Sequence, residues 1–560
     1  MAVSRFKTSL ERCYTMAGSS CNTRNVSGPG WRFQHHNGTK LFGPAGAGKT
    51  RTLVGWLQEH EADGDFRINE GIVCSFTRAA ARDIARRVND QGDPGPYHTT
   101  LHSLSKRYYG MDSPLAEPRV HEFFAQEHIA YDRANRNDPD IWQDTGSMAG
   151  NLLNAFWGRC RNQMRSLEEG LQKETPVSEI TDWWATAPMT RLFDRYDQWK
   201  MSEGLIDYTD MLEMALDAPP AGVQWPVFVM DECQDSTRLQ WMVAQNFAGA
   251  SECVYLGGDD DQAIYSWAGA HPEDFLNADC GAGSVEILHT NHRSGRAIVD
   301  NAQAFIRRNK NRVDKAMTAT SAGGEVATVE RLPELRVDES TYLMARAHYL
   351  MKDWMEELEQ RAFPFVDRRG KYGVNGKAAT AFCRFLSLST GGRISLSEWR
   401  LLATDAIPSQ GPWLVRGAKQ RLKELDKDFV ENHGVGLNEL GAYGATEELV
   451  NAVRAGVTGP LGRLPQERLG YLRRVAEKHG TQYLEEHRAA QVCQVGPIHQ
   501  FKGLECDHVV LHSGMSPAAA RDAVTDPESE RRVFYVALTR PKTRLSIVRA
   551  PAFAQWREVL

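Results

Sequence analysis

The stretch "GPAGAGKT", Gly43 to Thr50, satisfies the pattern G-x-x-x-x-G-K-[ST] between the short "KLF" and the helix-like "TRTLVGWLQ". A polyphosphate needs converging backbone N–H groups with no Cβ atoms in the way, an ammonium for the β and γ oxygens and a hydroxyl for Mg2+. Gly43, Gly46, Gly48, Lys49 and Thr50 supply these, and Pro44, Ala45, Ala47 and Arg51 complete the expected ATP-binding stretch. "VFVMDECQDS" then puts Asp231 and Glu232 at the C-terminal end of an apolar run, where ligands bind in open α/β sheets. Asp231 is expected to share Mg2+ with Thr50, and Glu232 to polarise the water that attacks the γ-phosphate. An NTPase that does work also needs arginines against the transition-state charge. Arg293 in "TNHRS" and Arg540 in "YVALTRPK" are the candidates.

A second kind of chemistry stands in "LGGDDDQAIYSWAGA", Leu256 to Ala270, where three aspartates and an amide precede two rings. A metal cage is one reading of the acids. The phosphate loop and Asp231 already offer a Mg2+ position, so the aspartates are read as turn and cap groups around Gln262, with no individual role for Asp260 or Asp261. Rings such as Tyr265 and Trp267 can stack on bases of any sequence, at about 1–3 kcal/mol per base.

These groups must be carried by strand, turn and helix in succession. "IVCSF" leads into "RAAARDIARRV", where Ala80, Ile84 and Val88 recur at helical spacing; "VFVM" and "CVYL" are buried-strand runs. They are assigned to one sheet-building core. "VEIL" (Val285 to Leu288), "TYLMA", "HVVL" and "LSIV" are assigned to a second. Stretches rich in Trp, Arg and Glu with helical periodicity interrupt each core, so the expected class is α/β with two parallel-sheet cores and two mainly helical insertions. The first 30 residues carry no clear pattern.

With 560 residues the chain has length for about two to four domains. Its apolar fraction of 41% and charged fraction of 25% are ordinary, and no run of about 18 apolar residues appears. No membrane partner is expected, and an intracellular location is the default. Ten scattered cysteines form no C-x-x-C pair and read as reduced structural thiols. A net charge of -6 requires any nucleic acid to be held by a local basic groove.

Taken in order, "GPAGAGKT", "SFTRAAARDI", "TTLHSL", "LIDYTDML", "VMDECQD", "GGDDDQAIYSWAGA", "TNHRS", "IHQFKGLE" and "RRVFYVALTR" resemble the UvrD/Rep/PcrA helicases of superfamily 1A. The resemblance implies two RecA-like domains of the P-loop NTPase class, each with a helical insertion, ATP in the cleft between them and single-stranded DNA across their top. The first domain would comprise 1–103 and 201–277 around insertion 104–200, and the second 278–377 and 489–560 around insertion 378–488. By the same resemblance Gln262, Arg293 and Arg540 face the γ-phosphate, Glu505 contacts the ribose, and His292 stands where a tyrosine usually covers the adenine. Thr77, His102, Tyr265, Trp267 and His499 match contacts to the strand.

Some positions depart from the family pattern. Ala268 replaces an arginine after the tryptophan, Pro497 stands near the usual threonine, and the upstream adenine-reading glutamine is represented only by Gln34. The insertions are short for the family, which bears on strand separation more than on hydrolysis. The implied activity is an ATP-dependent DNA helicase moving 3′ to 5′ on single-stranded DNA, acting at single-strand/duplex junctions in the nucleoid. A translocase that remodels nucleoprotein without unwinding, and a non-catalytic nucleic-acid-binding protein with a decayed motor, are the alternatives.

Overall fold

The computed structural model describes residues 37–75, 95–132, 148–173, 178–279, 284–370, 372–551 and 556–559, together with Ala81, Ile84, Arg86 and Arg87. Strands β1 (Asn37–Phe42), β2 (Ile72–Ser75), β3 (His98–Thr99), β4 (Trp225–Asp231), β5 (Ser251–Gly258) and β6 (Ser284–Ile287) form a parallel sheet in the order β3-β2-β4-β5-β1-β6. The middles of its central strands are apolar because helices cover both faces: Val227, Phe228, Val229, Val254 and Leu256 are all buried. Each such side chain contributes about 1.5–3 kcal/mol on leaving water.

β7 (Thr290–Gly295) and β8 (Thr318–Ser321) pair with each other. A second parallel sheet contains β9 (Glu325–Val329), β10 (Thr341–Ala345) and β11 (Val366–Asp367) with β14 (Cys493–Pro497), β15 (Cys506–His512) and β16 (Pro541–Val548), in the order β11-β14-β10-β15-β16-β9. Between β11 and β14 the described residues form mainly helices, with one short antiparallel pair, β12 (Arg393–Ser395) and β13 (Gly434–Gly436). The class is therefore mixed α/β with two six-stranded parallel sheets, the arrangement of two RecA-like domains.

One strand changes sheets relative to expectation. "VEIL" was assigned to the second core, but β6 pairs with β1, from Thr39 opposite Ser284 to Phe42 opposite Ile287. The reason is that β1 has an open edge once β5 occupies its other side, and backbone hydrogen bonds to that edge need no apolar face. Ser284, Val285 and Glu286 of β6 are accordingly exposed.

The helical stretches differ in how they are held. Between β3 and β4 the helices run from Leu101 to Asp217, and those from Val120 to Glu203 bury a core of their own around Phe123, Phe156, Leu192 and Trp199. The "LIDYTDML" segment closes this unit: Asp207 caps the helix Tyr208–Asp217 in a capping box with Asp210. Both acids then grip the buried Lys200 ammonium at 2.8 Å, and Arg161 reaches Asp207 at 2.8 Å and Asp210 at 2.5 Å. The later insertion has no separate core: Phe382, Trp399, Leu440 and Leu472 share one cluster with Leu343, Val495 and Val510 of the second sheet. Among the described residues no helix is long and apolar enough to cross a membrane.

Candidate nucleotide and nucleic-acid site

β1 delivers the chain into Gly43–Thr50 and then into the helix Lys49–Asp63. Gly48 caps that helix in the left-handed conformation (φ 86°) with no side-chain cap, so the first N–H groups are left for an anion. Lys49 is buried and its ammonium donates to Gly43 O at 2.7 Å, folding back over the loop. Thr50 Oγ1 donates to Asp231 Oδ2 at 2.7 Å, which places a hydroxyl and a carboxylate of the hard-oxygen type side by side at the end of β4. This donor set fits Mg2+. Burial, and then the neighbouring Glu232 charge, raise the Asp231 carboxyl to about 6.

Glu232 sits at φ 58°, a left-handed conformation that a glutamate holds only when its surroundings impose it. Its N–H donates to Asp231 Oδ1 at 2.8 Å, and Gln234 Nε2 donates to its Oε2 at 2.5 Å. Burial alone would raise its carboxyl, but the Lys502 and Lys49 charges bring it below the usual value, so Glu232 is ionised. The paired glycines at the end of β5 make room for this cluster. A Cβ on Gly258 would stand 2.7 Å from Gln234 Oε1 and 2.6 Å from the Phe275 ring.

The far wall comes from the chain after β6. β7 lies on the phosphate loop, with Asn291 Nδ2 donating to Ala45 O at 2.7 Å and the His292 N–H to Gly46 O at 2.9 Å. The His292 ring is exposed. Arg293 donates through Nε to Glu505 Oε2 at 2.8 Å and through Nη1 to Thr539 O at 3.1 Å, and Lys542 pairs with Glu505 at 3.0 Å. Arg540 is fully buried and donates to Gln262 Oε1 at 2.8 Å, Val536 O at 2.9 Å and Leu504 O at 3.3 Å. Among the described residues no carboxylate lies within ion-pair distance of it. Burial, and then Arg293, lower its pKa to about 9.

The rings expected at the DNA strand are grouped beside this wall. Tyr265 is half-buried, 6.0 Å from the Trp267 ring and 6.5 Å from that of His499. His499 is buried, and burial together with the Arg346 and Lys502 charges holds its pKa well below the usual histidine value. It is therefore neutral, and Tyr265 lies within ring-contact distance of both Trp267 and His499. Arg159, from the helix Ala149–Asn162, donates to Trp267 O at 3.0 Å, so a guanidinium stands beside the segment where Ala268 brings none. His102 packs edge-on against Tyr208 at 5.7 Å. Pro497 ends β14 opposite Ala345, where its missing N–H costs little. Thr77 and Gln34 lie outside the described residues.

Several site residues were not singled out from sequence. Lys502 makes a short contact with Asp235, donates to Gln262 O at 2.6 Å, lies 3.9 Å from Glu232 and stands 5.3 Å from the Tyr265 ring centre, touching both ligand regions at once. Burial and Glu232 raise the Asp235 carboxyl to about 7 in spite of Lys502. Gln234, Asp235, Asn291 and Lys502 all fall inside the quoted motifs, so position in a motif was the available signal. For Lys315 and Arg312, which hold Asp259 to Asp261, charge alone carried none.

Residues 33–281 match the model of the UvrD/REP helicase N-terminal domain, and residues 470–551 that of the UvrD-like helicase C-terminal domain. RecBCD enzyme subunit RecB of Mycolicibacterium smegmatis is 39% identical over 323 residues, covering 48% of this chain and 30% of the relative. DNA helicase II of Escherichia coli is 27% identical over 310 residues, 50% of this chain and 40% of the relative. A probable DNA helicase II homolog of Mycoplasma capricolum is 24% identical over 605 residues, 90% of this chain and 81% of the relative. The chain thus spans well under half the length of the first two relatives. With two parallel sheets, a phosphate loop facing Asp231 and Glu232, and both family models matched in order, the chain belongs to the UvrD/Rep helicase family.

Proposed function

We propose that this protein is an ATP-dependent DNA helicase that moves 3′ to 5′ along single-stranded DNA and separates strands at single-strand/duplex junctions. The observation that carries the hydrolytic part is Arg540. A guanidinium buried without a counter-ion calls for an arriving anion, and Arg540 is held by Gln262 at the cleft that Lys49 lines. A γ-phosphate supplies that anion.

Lys49 exchanges its bond to Gly43 O for phosphate oxygens, and the loop N–H groups take the remaining charge. Thr50 and Asp231 would hold Mg2+, which when bound neutralises charge on the β and γ oxygens. Glu232, ionised and oriented by Gln234, accepts a proton from the attacking water. Arg540 and Arg293 stabilise the transferring phosphoryl group. Glu505 first holds Arg293, and its exposed carboxylate is also placed for a ribose hydroxyl. His292, exposed beside Gly46, offers a ring to the adenine. Because Lys502 touches Asp235, Gln262 and Tyr265, a change at the phosphates alters the support under the base-stacking rings.

The test is ATP hydrolysis with and without single-stranded DNA, followed by unwinding of duplexes tailed at the 3′ or 5′ end. DNA-stimulated hydrolysis that Glu232→Gln abolishes, with strand release from the 3′-tailed duplex only, supports the whole reading. Hydrolysis without strand release points to a translocase. Absence of DNA-stimulated hydrolysis leaves a non-catalytic nucleic-acid-binding protein.

A further inference from the structure

Asp259, Asp260 and Asp261 are all buried, and their carboxylates converge closely enough to hold a metal ion. That position is taken by an ammonium. Lys315 Nζ lies 3.2 Å from Asp259 Oδ1 and 3.1 Å from Asp261 Oδ2, and makes a short contact with Asp260. Arg312 grips Asp261 with both Nε at 2.9 Å and Nη2 at 2.6 Å, and the Val313 N–H donates to Asp260 Oδ2 at 2.9 Å.

The three acids are therefore not equivalent. Asp259 uses its second oxygen, Oδ2, to accept from Gln262 Nε2 at 2.7 Å, and the other end of that amide, Oε1, accepts from Arg540 at 2.8 Å. An amide has one donor end and one acceptor end. Reversed, it would set Nε2 against the Arg540 N–H groups and Oε1 against the Asp259 lone pairs. An ionised Asp259 thus dictates which way Gln262 points, and a buried carboxylate stays ionised only beside a cation.

The segment 309–315 that carries both cations is also anchored to the helix Pro527–Leu538, which leads directly into Arg540. Glu528 accepts from the N–H groups of Lys310 at 2.7 Å and Asn311 at 3.2 Å, Asn309 Nδ2 donates to Glu528 O at 3.0 Å, and Arg532 Nη2 donates to Asn311 O at 2.7 Å. One strap holds the acids behind Gln262 and the helix before Arg540.

We propose that Lys315 is a positioning residue for the phosphate-sensing pair: acting through Asp259, it sets the Gln262 amide with its oxygen toward Arg540. The proposal rests on the hydrolytic reading above. Its test is a double-mutant cycle on single-strand-stimulated ATPase, with Lys315→Met and Gln262→Ala alone and together. Lys315→Met lowers kcat about tenfold while KM for ATP moves less than about twofold, and in the Gln262→Ala background the further loss shrinks to less than about twofold. The same fold-loss in both backgrounds overturns the proposal, because a merely structural lysine harms each equally.

Lys315→Met leaves three buried carboxylates a cation short and can unfold the loop. Lys315→Met with Asp260→Asn removes one cation and one carboxylate together, and thermal melting checks its fold. That variant shows the same kcat loss; wild-type kcat in it sinks the role of Lys315. A wild-type protein with no DNA-stimulated ATPase refutes the hydrolytic reading instead, whereas an active wild type with multiplicative losses refutes this inference alone.

Discussion

Arg540 Nη2 donates a 2.8 Å hydrogen bond to Gln262 Oε1, joining the residue before β16 of the second sheet to the segment after β5 of the first. The amide oxygen carries no formal charge, so Gln262 accepts a hydrogen bond from Arg540 without balancing its charge. Arg540→Ala is expected to lower the kcat of ATP hydrolysis about 10³-fold, within the range for an arginine at a transferring phosphoryl group. Steady-state hydrolysis with saturating single-stranded DNA checks this, and a loss under about tenfold would remove Arg540 from the transition state.

Trp267 and Tyr265 present two rings 6.0 Å apart beside Lys502. Trp267→Ala is expected to weaken single-strand affinity about tenfold or more, from about 1–3 kcal/mol per stacked base. That loss exceeds the change in DNA-free ATPase by about tenfold. Equilibrium binding to an oligothymidylate and hydrolysis without DNA give the two numbers. Equal losses in a folded variant contradict the coupling of these rings to the motor.

Gly46 lies at φ 77°, and a Cβ there would stand 2.8 Å from Arg293 Cβ and 2.8 Å from Asn291 Nδ2. Gly46→Ala therefore costs about 1–2 kcal/mol of left-handed strain and also pushes β7 off the phosphate loop. ATP affinity is expected to fall about tenfold or more, read by nucleotide titration. Unchanged affinity would mean that β7 does not form part of the nucleotide site.

Glu117 offers a pH test. One carboxylate oxygen accepts from the Tyr208 N–H at 2.7 Å, while the other is buried without a hydrogen-bond partner. Burial first, and then the Asp207 charge, raise its pKa from 4.5 to about 7 against the pull of that N–H. Because the folded pKa lies above the unfolded one, its contribution is complete below about pH 4.5 and lost as pH rises to about 7. Glu117→Gln keeps an acceptor for Tyr208 without the charge. It is expected to melt above wild type at pH 8, by a margin worth about 1–3 kcal/mol, and the advantage disappears as pH falls toward about 4.5. A variant no more stable than wild type at pH 8 contradicts this.

The fold was legible where one segment carries its own geometry. Val227 to Met230 reads as a strand because both faces are buried, and "TYLMA", "HVVL" and "LSIV" supply β10, β15 and β16 of the second sheet for the same reason. "VEIL" was placed in the wrong sheet because its partner is the open edge of β1, and an edge pairing made by backbone groups leaves no mark in side-chain pattern. The aspartates of "LGGDDDQAIYSWAGA" read in sequence as turn groups, which Asp259 partly is, accepting from the Asp261 N–H at 3.3 Å. Their ion pairs were invisible, since Arg312 and Lys315 look in sequence like any surface charges.

By itself, the sequence determined the chemistry that spacing encodes: a glycine turn into a helix N-terminus with Lys49 and Thr50, two acids at a strand end, and an amide followed by two rings. Such motifs are local, and backbone geometry over a few residues suffices to build them. Only the tertiary structure decided which charges meet. Arg540 faces Gln262 across 278 positions and Lys315 faces Asp260 across 55, separations at which the path of the chain between sheets, and not side-chain type, selects the partner.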